Sequence, residues 1–165
     1  MDFSIRPAGL SDIPVISSLL HKIWRPTYGA ILSEEQTQYM LSTLFSAATM
    51  KRQMLEENHH FVLAYRGSRA FGFAACQNDF KEKRCKLHKL YLLPEEQGKG
   101  RGRIFLQEMI RQAEAAGQKS VLLNVNRANS AKSFYEKLGF AVMEEVDIPI
   151  GNGYFMNDYV MELKL

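Results

Sequence analysis

Between Leu90 and Ile110 the chain reads LYLLPEEQGKGRGRIFLQEMI. A short apolar run stops at a proline, three glycines then fall within five residues among basic side chains, and a second apolar run follows at helical spacing. The pattern describes a strand that hands over to a helix through a glycine-rich turn. The first turn of a helix carries unpaired N–H groups and the positive end of the macrodipole, so an anion is favoured there, and glycines let it approach the backbone. Lys99, Arg101 and Arg103 add positive charge beside the turn. A solvated basic loop whose glycines merely turn the chain is the plainer alternative. Two familiar phosphate loops do not fit. No GxxxxGK string followed by Ser or Thr occurs, and in the GxGxxG frame that begins at Gly98 the third glycine is replaced by Arg103.

The remaining periodicity supplies partners for that strand and helix. FSIRPA reads as a strand and SDIPVISSLLHKIW as a helix capped by Ser11, with Ile13, Ile16, Leu19, Leu20 and Ile23 on one face. SEEQTQYMLSTLF starts with Ser33 as N-cap and acids in its first turn, and SAATMKRQMLEEN is a third helix. HFVLAY and AFGFAACQ form a hairpin about Gly67-Ser68, and KRCKLHKLYLL is the strand before the glycine turn. The helix RIFLQEMIRQAEAAG, the strand SVLLNVN, the helix NSAKSFYEKLG and two strands about GNG complete the chain. Strands and helices alternate in the middle and hairpins flank them, which predicts an α/β fold with a mixed central β-sheet and helices on both faces. With 165 residues, 46% of them hydrophobic, and no repeat or composition break, residues 1–165 are expected to form one domain.

A net charge of +3, from 21 basic and 18 acidic residues, does not point to nucleic acid. The local cluster Lys81, Lys83, Arg84, Lys86 and Lys89 lacks the interleaved aromatics of a nucleic-acid platform. No apolar run approaches a membrane span and MDFSIRPAGL lacks a signal-peptide core, so a cytoplasmic protein is expected. Cys76 and Cys85 fall on neighbouring strands without metal-ligand spacing, which predicts buried free thiols and no metal site.

The string Gln97-Gly98-Lys99-Gly100-Arg101-Gly102 resembles the Q/R-x-x-G-x-G/A signature of the GNAT superfamily of acyl-CoA-dependent N-acetyltransferases. NSAKSFYEKLGF, Asn129 to Phe140, is similar to that superfamily's second hallmark, and the order of elements matches from Phe3 onward. The resemblance implies acetyl-CoA as co-substrate, with its pyrophosphate on the amides from Gly98 to Arg103. It also implies that Leu90, Tyr91 and Leu92 lend backbone groups to the pantetheine, because in this family their strand splays from the next. Tyr135 matches the tyrosine commonly assigned as general acid to the departing thiolate. Asn129 stands six residues before that tyrosine where the family usually has its asparagine seven before, so it serves CoA or caps the helix.

The general base departs from the family pattern. Where many relatives carry a glutamate, this chain has His88 or Asn124. An imidazole titrating near pH ~6.5 is a candidate proton acceptor, and a water chain with no dedicated base is its competitor. The family builds its acceptor pocket from the first helices and their connection, here IWRPTYGAILSEEQ, so Trp24, Tyr28, Glu34 and Glu35 are the candidate substrate contacts; the plainer alternative is that each packs a helix or decorates a surface, Glu34 and Glu35 as solvated acids of a helix start. The W..TY and EQTQYML strings, with the ending YFMNDYVMELKL, are diffusely similar to small bacterial polyamine acetyltransferases. The expected partner is therefore a small-molecule amine, with no nucleic acid or membrane and with a homodimer allowed. A non-catalytic CoA-binding sensor and a protein N-terminal or lysine acetyltransferase are the alternatives.

Overall fold

The computed structural model describes residues 3–165. The elements run β1 (Ser4–Ala8), α1 (Ile13–Tyr28), α2 (Glu34–Ser42), α3 (Ala47–Glu56), β2 (His60–Arg66), β3 (Arg69–Lys81), β4 (Arg84–Leu92), α4 (Arg101–Ala115), β5 (Ser120–Asn126), α5 (Ala131–Lys137), β6 (Ala141–Gly151) and β7 (Tyr154–Lys164). The seven strands form one sheet in the order β1-β2-β3-β4-β5-β7-β6. Every pairing is antiparallel except β4 with β5, the pair joined by the crossover helix α4, as a parallel connection requires. Phe71 to Cys76 of β3 are buried without alternation, because helices cover both faces of the sheet. Cys76 and Cys85 are free and buried on β3 and β4.

Helix α1 buries Ile13, Ile16, Leu19, Leu20, Ile23 and Trp24 along one stripe and packs on β3 and β4. It differs from the sequence expectation at both ends. Ser11 does not cap it; Leu10–Asp12 form a 3-10 turn instead, with the Asp12 carboxylate accepting from the Gly9 N–H at 2.8 Å. At the other end the helix continues past Trp24 through Pro26 to Tyr28. Proline removes only one donor, and this close to the helix end the loss is tolerated. The added turn carries Thr27 and Tyr28 to the point where β4 and β5 separate.

Unlike Ser11, Ser33 and Ser46 do cap their helices. Ser33 Oγ accepts from Gln36 N and Ser46 Oγ from Thr49 N, each at 3.1 Å. Helix α2 then holds the tip of the β6–β7 hairpin: Tyr39 donates to the Ile150 carbonyl at 2.8 Å and Gln36 to the Phe155 carbonyl at 2.9 Å. Among the described residues no helix is long and apolar enough to cross a membrane.

Candidate active site

The parallel pairing of β4 with β5 covers only Arg84–Leu87 against Ser120–Leu123. Beyond Leu87 the strands diverge, while β4 continues to Leu92 and β5 to Asn126. The β5-facing edge of His88–Leu92 therefore has no partner strand, and the wedge opens into a cavity of about 800 Å³. Free strand edges in a cavity are hydrogen-bonding positions for an extended, amide-bearing ligand.

The glycine turn closes one end of the wedge. Pro94 ends the strand, and Gln97 Nε2 reaches back to donate to the Leu92 carbonyl at 3.1 Å, tying the turn to the free edge. Gly98 and Gly100 adopt φ of 73° and 79°, the left-handed region that favours glycine, and Gly100 is the N-cap of α4. The first helical bond runs from Ile104 N to Gly100 O at 3.3 Å. Among the described residues nothing accepts from the backbone N–H groups of Gly98 to Arg103. Gly98, Gly100, Gly102 and Arg103 line the cavity.

Three tyrosines converge on the cavity from different elements: Tyr135 from α5, Tyr28 from α1 and Tyr91 from β4. Burial pushes all three phenols above their ordinary range, and the nearby Tyr28 raises Tyr135 further, so each keeps its proton at neutral pH. Tyr28 faces both Tyr91 and Asn129. Asn129 also lines the cavity, and its Oδ1 accepts from Ala131 N at 2.9 Å in a local turn ahead of α5, whose N-cap is Ser130, so its amide nitrogen is left for other partners.

His88 lies at the throat of the wedge. Its Nε2 is 2.9 Å from Gln77 Oε1, and its ring stacks on His59 with centroids 4.0 Å apart. Burial, with the charges on His59, Lys89 and Lys86 behind it, lowers its pKa to about 3. The imidazole is thus neutral in the physiological range. Donation from Nε2 to the Gln77 carbonyl leaves Nδ1 as the acceptor.

Several expected residues stand elsewhere. Trp24 belongs to the core, its ring packed 4.5 Å from Tyr28 and 4.8 Å from Phe45. Glu34 and Glu35 are exposed in the first turn of α2, where acids complement the helix dipole, and Glu34 pairs with Arg25 at 2.8 Å. Neither lines the cavity. Lys99 is exposed, and the Arg101 guanidinium turns from the cavity to Glu96 at 2.6 Å, leaving its backbone N–H at the turn. One group escaped sequence reasoning altogether. Asp158 on β7 is 1% exposed and accepts from Asn124 Nδ2 at 3.4 Å, while Lys86 Nζ donates to Asn124 Oδ1. Burial raises the Asp158 pKa and lowers that of Lys86 to about 8. Asn124 lines the cavity, so this chain backs its wall.

The model of the "Acetyltransferase (GNAT) domain" family matches residues 30–163. The chain belongs to the GNAT family. As a GNAT protein it is an acetyl-CoA-dependent N-acetyltransferase, and the splayed wedge with its glycine turn has the shape and donors that coenzyme A requires. A curated relative, the [ribosomal protein bS18]-alanine N-acetyltransferase of Haemophilus influenzae, is 30% identical over 131 residues, which are 79% of this chain and 84% of that one. The PaiA N-acetyltransferase of Thermoplasma acidophilum, solved in complex with coenzyme A, superposes over 100% of both chains with a TM-score of 0.83 and 27% identity. A spermidine N-acetyltransferase SpeG chimera from Vibrio cholerae and hSSAT shares the fold, with a TM-score of 0.74 and 16% identity over 99% of this GNAT chain and 96% of the chimera.

Proposed function

We propose that residues 1–165 form one catalytic domain that acetylates the primary amine of a small molecule by direct attack in a ternary complex. The observation that carries this reading is the wedge between β4 and β5, with unpaired amides at one end and the Tyr135 phenol within it. The amides of Gly98 to Arg103, including those of Lys99 and Arg101, hold the pyrophosphate. Gln97 fixes the turn, the free edge of Leu90, Tyr91 and Leu92 receives the pantetheine, and Asn129 contributes its amide nitrogen. The amine nitrogen attacks the thioester carbonyl carbon, the C–S bond breaks, and Tyr135 protonates the departing thiolate. The proton released by the amine returns to the phenol through solvent. His88, neutral and too weakly basic to store that proton, accepts a hydrogen bond at Nδ1 and orients the water that carries it.

For a cationic acceptor the supporting acid is Asp158, a buried carboxylate behind Asn124 whose charge is shared with Lys86, rather than Glu34 and Glu35. Tyr28 supplies a wall of the acceptor pocket from the last turn of α1. A protein N-terminus is the second reading, favoured by the Haemophilus influenzae relative that acts on an alanine of bS18. Release of free thiol from acetyl-CoA, measured with spermidine, a monoamine of similar length, a peptide beginning with alanine and no acceptor, separates them. Preferred turnover of either small amine is the expected result. Turnover confined to the peptide would transfer the assignment to protein N-termini, and equal rates with and without acceptor would refute both.

A further inference from the structure

We infer that Glu96 is a positioning residue that sets how tightly the enzyme holds the diphosphate end of its co-substrate. The inference rests on reading the glycine turn as the pyrophosphate site. Glu96 ends the 3-10 turn Pro94–Glu96, and its side chain is 2% exposed. Both carboxylate oxygens are engaged. Oε2 meets Arg101, the first residue of α4, at 2.6 Å; Oε1 meets Arg66 at 3.2 Å and Arg69 at 3.6 Å. Arg66 ends β2 and Arg69 begins β3, so one buried carboxylate braces the start of α4 against the β2–β3 turn. The unpaired amides of Gly98 to Arg103 lie within this braced segment. Their use as a diphosphate cradle depends on direction, because a hydrogen bond weakens steeply as its angle closes.

The same ion pair has a second effect. It withholds the Arg101 guanidinium from the cavity, so the anion meets oriented amides rather than a mobile charge. Replacing Glu96 by glutamine removes the negative charge shared by three arginines and leaves Arg101 without its carboxylate, while Arg69 keeps Glu95 at 2.6 Å. The direction of the change in affinity is then diagnostic. A loosened cradle weakens diphosphate binding, whereas a released arginine acting as a phosphate ligand strengthens it.

The test uses two donors with the same thioester and the same arm: acetyl-CoA, and S-acetylpantetheine, which lacks the diphosphate and the nucleoside attached through it. KM for each is measured on wild type, Glu96→Gln, Arg101→Gln and the double variant, with melting temperatures alongside. For Glu96→Gln the KM for acetyl-CoA is expected to rise about tenfold or more, the scale of one lost charge-assisted hydrogen bond. KM for S-acetylpantetheine is expected to rise far less. Arg101→Gln should reproduce the pattern, and the double variant should lose no more than the worse single, because both remove one brace. Arg101 is partly accessible, so its variant carries the test if Glu96→Gln does not fold. Equal losses on both donors would reduce Glu96 to a general structural role, and unchanged or tighter acetyl-CoA binding would overturn the positioning role. If wild type itself fails to prefer acetyl-CoA over S-acetylpantetheine, the pyrophosphate reading fails and takes the inference with it.

Discussion

Gly102 offers a way to block the proposed anion cradle without disturbing the fold. It lies in the first turn of α4 with ordinary helical φ, and a Cβ built there would meet only Phe134 Cζ, at 3.7 Å, an ordinary contact. Valine at this position is no worse a helix former than glycine, so Gly102→Val should change stability by less than about 1 kcal/mol. For a chain of this size that is a shift of roughly 2–4 °C in melting temperature. The new isopropyl group enters the cavity at the amides proposed to hold the pyrophosphate. Losing one hydrogen bond to a charged group costs about 1.5–3 kcal/mol, a factor of about 10–100 in Kd. Gly100→Ala provides the contrast. Its Cβ would meet nothing within 4 Å, but φ of 79° places an L-residue in the left-handed region, at a cost of about 1–2 kcal/mol in stability. The two variants therefore separate strain from occlusion. Thermal melts and calorimetric titration with coenzyme A read both quantities. A Gly102→Val protein that binds coenzyme A within about twofold of wild type would show that the turn only redirects the chain.

Tyr135→Phe keeps the ring and removes the proton, so turnover should fall by about 10²-fold with little change in coenzyme A affinity; a loss within about twofold would remove Tyr135 from the chemistry. Because the His88 pKa is about 3, the rate against pH should show no inflection near pH ~6.5, and His88→Gln should slow turnover while keeping the acidic limb set by the amine. Loss of a limb near pH ~6.5 in that variant would restore His88 as the base. The stacked pair His59 and His88 also links stability to pH. Their folded pKa values, about 4 and about 3, lie below the unfolded value, so the contribution is full above pH ~6.5 and is lost as pH falls towards 3. Allowing for partial solvent screening, the pair should account for about 2 kcal/mol of stability lost between pH ~7 and ~5. Thermal melts at both pH values should show a smaller drop for the His59→Gln, His88→Gln double variant, and an unchanged drop would contradict the shifts. At the acceptor end, Asp158→Asn should lower kcat/KM for the amine about tenfold or more, and the Glu34→Gln, Glu35→Gln double variant should stay within about twofold of wild type. The reverse ranking would return the acceptor pocket to α2.

Features encoded by short-range pattern were legible in the sequence, whereas those set by strand register were not. The glycine turn and the FYEKLGF segment each lie within one stretch of chain, and their elements form where apolar spacing and turn residues place them. Tyr135 reached the cavity because one helix carries it there. Asp158 is different. Nothing in YFMNDYVMELKL separates it from a surface acid, and its burial depends on the pairing of Asn126 with Asp158 that lays β7 beside β5. Its contact with Asn124 spans 34 residues, beyond any helical or strand period. In the sequence Lys86 and Lys89 are indistinguishable from the other members of the basic cluster Lys81 to Lys89, yet Lys86 reaches Asn124 and Lys89 Nζ lies 5.5 and 5.2 Å from the Phe45 and Phe61 rings. Glu34 and Glu35 show the converse. Their position in a segment that resembles an acceptor wall suggested substrate contact, but beside the Ser33 cap they meet the local requirement of a helix start, which is satisfied in solvent. Local rules therefore place a side chain on an element, and the register between elements decides whether its charge faces water or another charge. In this chain that decision separates Glu96 from its neighbour Glu95: both are acids of one turn, but only Glu96 is enclosed, because the start of α4 and the β2–β3 turn bring arginines to it from both sides.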